Sequence, residues 1–300
     1  MHIILRNAFI RSESIHVELN INTSGHDVEM VIVIILNIVM MISCSTAEMK
    51  DRKRINGGEM IILGNKTLKG NKNLKTLEIE TSTFDKITNK TQGDIKYYKS
   101  DGYRAVLIID ENLIEYFTVT TKDNELVFKQ EPGFNYKPSN CLLEVYAPTI
   151  SKYHLKGSGD FKTNDTIETE NFDISIDGSG DCLLEQVLSN NLNLEINGSG
   201  DIKIKTTTNN AAISIKGSGD IDISGSSQKA VVNIKGSGDI EADDFIVESA
   251  VVSIFGSGDV IISVEKELDV SIFGSGDIKY IGSPVVRSKI SGSGDIKQKR

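Results

Sequence analysis

The residues of this 300-residue chain whose type and spacing could do chemistry are eight aspartates: Asp160, Asp181, Asp201, Asp220, Asp239, Asp259, Asp277 and Asp295. Each closes a Gly-Ser-Gly-Asp tetrapeptide beginning at Gly157, Gly178, Gly198, Gly217, Gly236, Gly256, Gly274 and Gly292, at spacings of 21, 20, 19, 19, 20, 18 and 18 residues. Carboxylates recurring at a fixed period can ligate a hard cation, as the Gly- and Asp-rich turns of calcium-binding β-rolls do. Those turns read G-G-x-G-x-D-x-U-x. Here Asp directly follows the second Gly, the period is about twice as long, and each repeat has no second Gly-Asp turn to close a cage. The tetrapeptide therefore reads as a structural turn ladder without metal or cofactor: glycine permits φ > 0 and close approach, and Ser and Asp bond nearby backbone donors. Stacked at the strand spacing, neighbouring carboxylates repel by about 0.9 kcal/mol in water, which those bonds must offset.

Other chemistries lack their residues. His2, His16 and His26 precede a processing site argued below, which leaves His154 alone and excludes a His-based triad or a multi-His metal centre. His154 falls in an outward column, as a solvated surface residue. Acids suffice in number for a paired-carboxylate glycan hydrolase or lyase, but the ladder aspartates recur identically, whereas a catalytic site would break the repeat at one place. No enzyme is expected. A net charge of −9 and a pI near 5.1 argue against a nucleic-acid partner, which wants a basic stripe.

The elements that position the aspartates follow from the columns around them. Two and four residues before each tetrapeptide stand apolar residues such as Ile196, Ile215 and Ile234, and Leu194, Ile213 and Val232; just after the Asp, and two further, stand Ile202, Ile221 and Ile240, and Ile204, Ile223 and Ala242. Residues between them, such as Glu195, Ser214 and Lys203, are polar. This alternation and the β-branched enrichment predict strands on both sides of a Gly-rich corner, with one face buried and one wet. Successive repeats then pair in parallel as the coils of an all-β solenoid of about 18–21 residues per coil, whose seven intervals span roughly 34 Å. One coil cannot bury its apolar side alone, so the array folds as a unit.

Before the repeats, Met30–Ile42 (MVIVIILNIVMMI) is the longest apolar run, too short for a bilayer-spanning helix and suited to a signal-peptide core. It ends in Met41-Ile42-Ser43-Cys44, which resembles a bacterial lipobox with Cys44 as the lipid acceptor. The residues ahead of it are too acidic for a signal start, so Met30 is a candidate initiator. The expected organisation is a signal segment over 1–43, a lipidated Cys44 with a flexible tether over 44–76, and a head domain over 77–300. Within the head, 77–150 supplies irregular first coils that cover the open end of the array, and 151–300 carries the tetrapeptides. Cys182 occupies an inward column and, like Cys141, needs no disulfide.

Phe84-Asp85-Lys86-Ile87, the segment Asp-Asn-Glu-Leu-Val-Phe from Asp123, Val-Tyr-Ala-Pro-Thr-Ile from Val145, and Gly-Ser-Gly-Asp followed by an apolar residue resemble the auto-transporter adhesin "head GIN" domain family over residues 77–300. The resemblance implies a single-stranded right-handed parallel β-helix on an envelope lipoprotein of Bacteroidetes-type bacteria, and it carries no catalytic residues over. The implied function is a non-catalytic adhesin, anchored to the outer membrane by its lipid and binding a surface glycan or an envelope protein. A periplasm-facing scaffold and a β-helix carbohydrate-active enzyme are the alternatives. Phe255 and Phe273, in one outward column of consecutive coils, form the candidate contact patch; the bland alternative is that they shield the sheet or lie under Asp243-Asp244-Phe245.

Overall fold

The computed structural model describes residues 66–299 and, before them, the backbone of one short antiparallel pair, Phe9–Arg11 with Ser14–His16. The apolar run Met30–Ile42 and the lipid acceptor Cys44 lie outside the described residues. From residue 66 the chain is nearly all-β and winds into a β-helix of about 7 turns.

The predicted columns are its core. Ile196, Ile215, Ile234 and Ile254 are fully buried, as are their partners across the interior such as Ile202, Ile221 and Ile240. Strand Ile202–Ile215 lies parallel and in register on Ile221–Ile234, so that Ile204 meets Ile223 and Ile213 meets Val232. Each such side chain contributes about 1.5–3 kcal/mol when removed from water. That gain exists only where a coil has neighbours on both sides. The last coil shows the reverse: Ile290, in the same inward column, is 41% exposed because nothing stacks beyond it.

Coils differ in length, and the tetrapeptide corner absorbs none of the difference. Equal 19-residue coils pair without interruption from Ile202 to Ile215. Where lengths change, the register shifts between Thr163 and Thr166, between Leu184 and Val187, between Asp222 and Gly225, and twice between Ala242 and Ser249. None of these bulges falls at the tetrapeptides: those from Thr163, Leu184, Asp222 and Ala242 lie along the strand that follows the aspartate, and the one between Val247 and Ser249 lies farther round the coil.

The leading residues depart from simple coils. Lys86–Lys90 and Asp94–Lys99 do form a coil, lying parallel to Lys152–Leu155 and to Cys141–Ala147 respectively. Over it, Arg104–Asp110 pairs antiparallel with both Leu74–Ile79 and Cys141–Ala147, and Phe117–Lys122 forms an antiparallel hairpin with Glu125–Gln130. Antiparallel strands cannot template another parallel coil, which is how this end is closed. Residues 66–76, expected in the tether, instead belong to the fold: Lys66–Lys69 pairs with Phe134–Lys137, and Leu74–Ile79 opens the cap. The sequence missed them because Lys66–Lys69 is short and mostly exposed, with no buried face to produce alternation.

Candidate functional site

At the tetrapeptide corner the aspartates hold the coils together. The main-chain N–H of each donates to Oδ1 of the aspartate one coil earlier, at 2.9 Å from Asp181 to Asp160, 2.8 Å from Asp220 to Asp201 and 2.7 Å from Asp259 to Asp239. The serine N–H donates to the first Gly carbonyl of the preceding coil, as from Ser218 to Gly198 at 3.0 Å. Each carboxylate therefore faces a donor, which offsets the like-charge repulsion along the ladder. Asp295, the last in the ladder among the described residues, accepts from the N–H of Ile296 and from Lys297.

The ladder starts one coil before the tetrapeptides, at Asp94, which accepts from the N–H of Asp160 at 2.9 Å. Thr91-Gln92-Gly93-Asp94 is thus a degenerate corner that the sequence reading passed over because only its Gly-Asp survives. Replacing Asp220 by Ala removes the acceptor of Asp239 and should cost about 1 kcal/mol in urea melts, whereas Asp220→Asn, which keeps an oxygen there, should cost less. Among the described residues no three His, Cys, Asp or Glu side chains converge as a metal cage.

The glycines are required for a reason other than φ. Among tetrapeptide glycines only Gly292, at φ 145°, lies clearly in the positive region; Gly256 and Gly274, at 158° and 157°, are nearly extended. What forbids a side chain is contact: a Cβ on Gly217 would lie 2.0 Å from the carbonyl oxygen of Gly198, and one on Gly219 2.1 Å from that of Gly200. This also explains why length changes avoid this corner and fall elsewhere along the coil, as far round as the opposite corner, since a bulge here would break these contacts.

That opposite corner carries features the sequence reading did not single out. Asn191 donates to Asn171 and Asn210 to Asn191, at 2.8 and 3.0 Å, beside a second row in which Asn190 bonds Glu170 and Asn209 bonds Asn190. Recurrence of Asn-Asn at 190–191 and 209–210 was the available signal. Higher up, the repeat breaks at Asp243-Asp244-Phe245. Phe245 turns inward opposite Gly225 and is fully buried, so it does not cover the candidate aromatic patch. The break leaves an open depression of about 290 Å³ lined in part by Asp243, Asp244, Ser263 and Glu265. Asp243 is occupied by Lys299 at 3.1 Å, so it is not one of a free acid pair.

His154 is not freely solvated. The coil above places Asp177 beside it, with Nε2 2.7 Å from Oδ2 and the imidazole side chain only 19% exposed. Hydrogen bonds from His154, then from Asn197 at 2.8 Å, hold the Asp177 carboxyl below its usual range. Cys141 and Cys182 are free and buried; burial pushes the Cys141 thiol up to about 12 and that of Cys182 well above its ordinary value, so neither is a nucleophile.

Phe255 and Phe273 stand on the outward face of the sheet that precedes the tetrapeptides, 47% and 37% exposed. Their ring centroids are 4.9 Å apart and their planes 7° from parallel. Two coplanar rings side by side would collide at that separation, so each ring turns its face to the other. On the same face, four residues earlier, stand Val231 and Val251, paired in register and each 45% exposed. Between the two columns lie Asn233, Ser253 and Ser271. Together these residues make a continuous outward field of apolar and small polar side chains, on strands whose inward residues are locked in the core.

A profile of the family described as "Putative auto-transporter adhesin, head GIN domain" matches residues 83–224 and 183–284. Among solved structures, a putative lipid binding protein from Parabacteroides distasonis is 29% identical with a TM-score of 0.76, spanning 78% of this chain and 100% of its own. A putative adhesin from Bacteroides fragilis is 25% identical with a TM-score of 0.61, spanning 77% and 100%. A putative adhesin from Parabacteroides merdae, at 24% identity and a TM-score of 0.74 over 78% and 100%, shares the fold. No curated protein matches the sequence.

Proposed function

We propose, since this chain belongs to the auto-transporter adhesin head GIN domain family, that it is a non-catalytic adhesin of the cell envelope that binds through the outward face bearing Phe255 and Phe273. The observation that supports this reading is the exposure of that aromatic pair beside Val231 and Val251 on a rigid sheet. Contiguous exposed apolar surface is costly to leave in water and marks contact sites. The ladder aspartates accept main-chain N–H groups and Asp243 faces Lys299, so these carboxylates serve the fold.

Attachment to the outer membrane is by lipid on Cys44, carried by Met41-Ile42-Ser43-Cys44 after the apolar run Met30–Ile42. Among the described residues no helix is long and apolar enough to cross a membrane. The ligand is a surface glycan or a neighbouring envelope protein.

Protease shaving of intact cells tests the placement, with a periplasmic protein as control. Loss of this protein while the control survives is the expected result; protection of both would overturn the adhesin and favour a periplasm-facing scaffold. A second test uses Phe255→Ser with Phe273→Ser. Both positions point outward, so the melting midpoint should stay within a few degrees while adherence to the target surface is lost.

A further inference from the structure

The geometry of the aromatic pair points to the charge of the ligand. Phe255 and Phe273 take up one face of each other. The far face of Phe273 lies toward Lys289, whose Nζ is 5.7 Å from the ring centroid. The pair also turns ring edge to solvent, and the edge of an aromatic ring carries the positive end of its quadrupole.

Cations continue the same column and its neighbour. Lys235 stands one coil before Phe255 in the outward column, and Lys289 one coil after Ser271 in the next column. Both are exposed, and neither forms an ion pair among the described residues. The acids at the edge of this field, Asp269 and Glu267, share Arg287, at 3.0 and 3.5 Å. The ladder aspartates lie beyond the glycine corner, four residues past the aromatic column, with Oδ1 engaged by main-chain N–H groups. A protein with a net charge of −9 thus carries, on its most apolar outward face, a strip of about 14 Å from Lys235 to Lys289 with positive ends, aromatic edges between them, and the hydroxyls of Ser253 and Ser271 alongside.

We propose that this strip binds an acidic glycan, its carboxylate or sulfate groups held by Lys235 and Lys289 and its pyranose C–H surface packed against Val251 and the aromatic pair. The inference rests on the adhesin reading and adds the ligand class. Charge complementarity supplies the selectivity, since a neutral polysaccharide offers no anion to Lys235 and Lys289.

The test measures binding of the full chain to immobilised hyaluronan, chondroitin sulfate and dextran at low and high salt. Expected are binding to at least one of the two acidic polymers, none to dextran, weakening with salt, and a loss of about tenfold or more in Lys235→Glu with Lys289→Glu. Lys235→Gln with Lys289→Gln, which keeps side-chain length, serves if the charge reversal perturbs folding. Dextran binding that disappears in the double Phe variant and ignores the lysine changes would overturn the acidic class and leave the adhesin standing. Absence of all polysaccharide binding by a chain that shaving places on the surface would overturn the glycan and leave a protein ligand. Protection from shaving would overturn both readings.

Discussion

Gly219→Val unfolds the central coils under conditions where the parent chain is folded. A Cβ at this position would sit 2.1 Å from the carbonyl oxygen of Gly200 and 3.0 Å from its carbon, and both belong to backbone that cannot swing aside. Relieving the overlap means separating two coils that are in register over their whole length, which breaks main-chain hydrogen bonds and opens the core on both sides. The cost should be about 3 kcal/mol or more, above the usual range for overpacking because no flexible side chain can yield. Gly102→Val is the control: nothing lies within 4 Å of a Cβ there, so its melting curve should overlay the parent's. Equal midpoints for the two variants would show that the corners do not pack as described.

Asp110→Ala should be nearly as damaging, and for a different reason. Asp110 is fully buried. Its carboxylate accepts from the Lys72 N–H at 2.6 Å, the Ser139 N–H at 2.6 Å and the Ser139 hydroxyl at 2.7 Å, joining the turn before Leu74–Ile79 to the segment before Cys141–Ala147. Gly70 leaves room for it, since a Cβ there would lie 2.0 Å from Oδ2. Removing the acceptor leaves buried donors without partners, at about 1–3 kcal/mol each, so denaturation should show a loss of about 3 kcal/mol. Burial pushes the Asp110 pKa up, but the hydrogen bonds from Ser139, then Lys72 and Asn140, outweigh it and hold the carboxyl below its usual value. A lowered folded-state pKa means that this stabilisation is present above the unfolded value of about 4 and is lost as pH falls through the folded one. The parent chain should therefore lose stability below about pH 4 more steeply than Asp110→Asn, which has no proton to take up.

The two predictions differ in how far the sequence announces them. Gly219 belongs to a tetrapeptide that repeats eight times, so its importance is legible from one chain, although the cause is contact between coils rather than positive φ. Asp110 ends an apolar run and looks like any acid at a strand terminus. Its partners lie 38 and 29 residues away, and local pattern carries no record of such a distance.

The same division holds for the candidate site. Phe255 and Phe273 could be placed in one outward column by counting from the tetrapeptide, because a period-two strand and a near-constant coil length assign every residue a face and a level. Their adjacency was legible for that reason. That they turn their faces to each other, that Phe245 folds inward instead of covering them, and that Asp177 comes to His154 depend on side-chain rotamers and on a bulge whose position no periodicity records.

Repetition along the chain thus determined the solenoid, the inward columns and the corner ladder, since each coil solves the same local problem and its neighbours supply the burial. The antiparallel cap, the extension of the fold back to Lys66, the degenerate corner at Asp94 and the charge around the aromatic pair were settled in three dimensions. Each depends on a contact between segments that do not resemble one another, and the energy that selects such a contact exists only once both segments are in place.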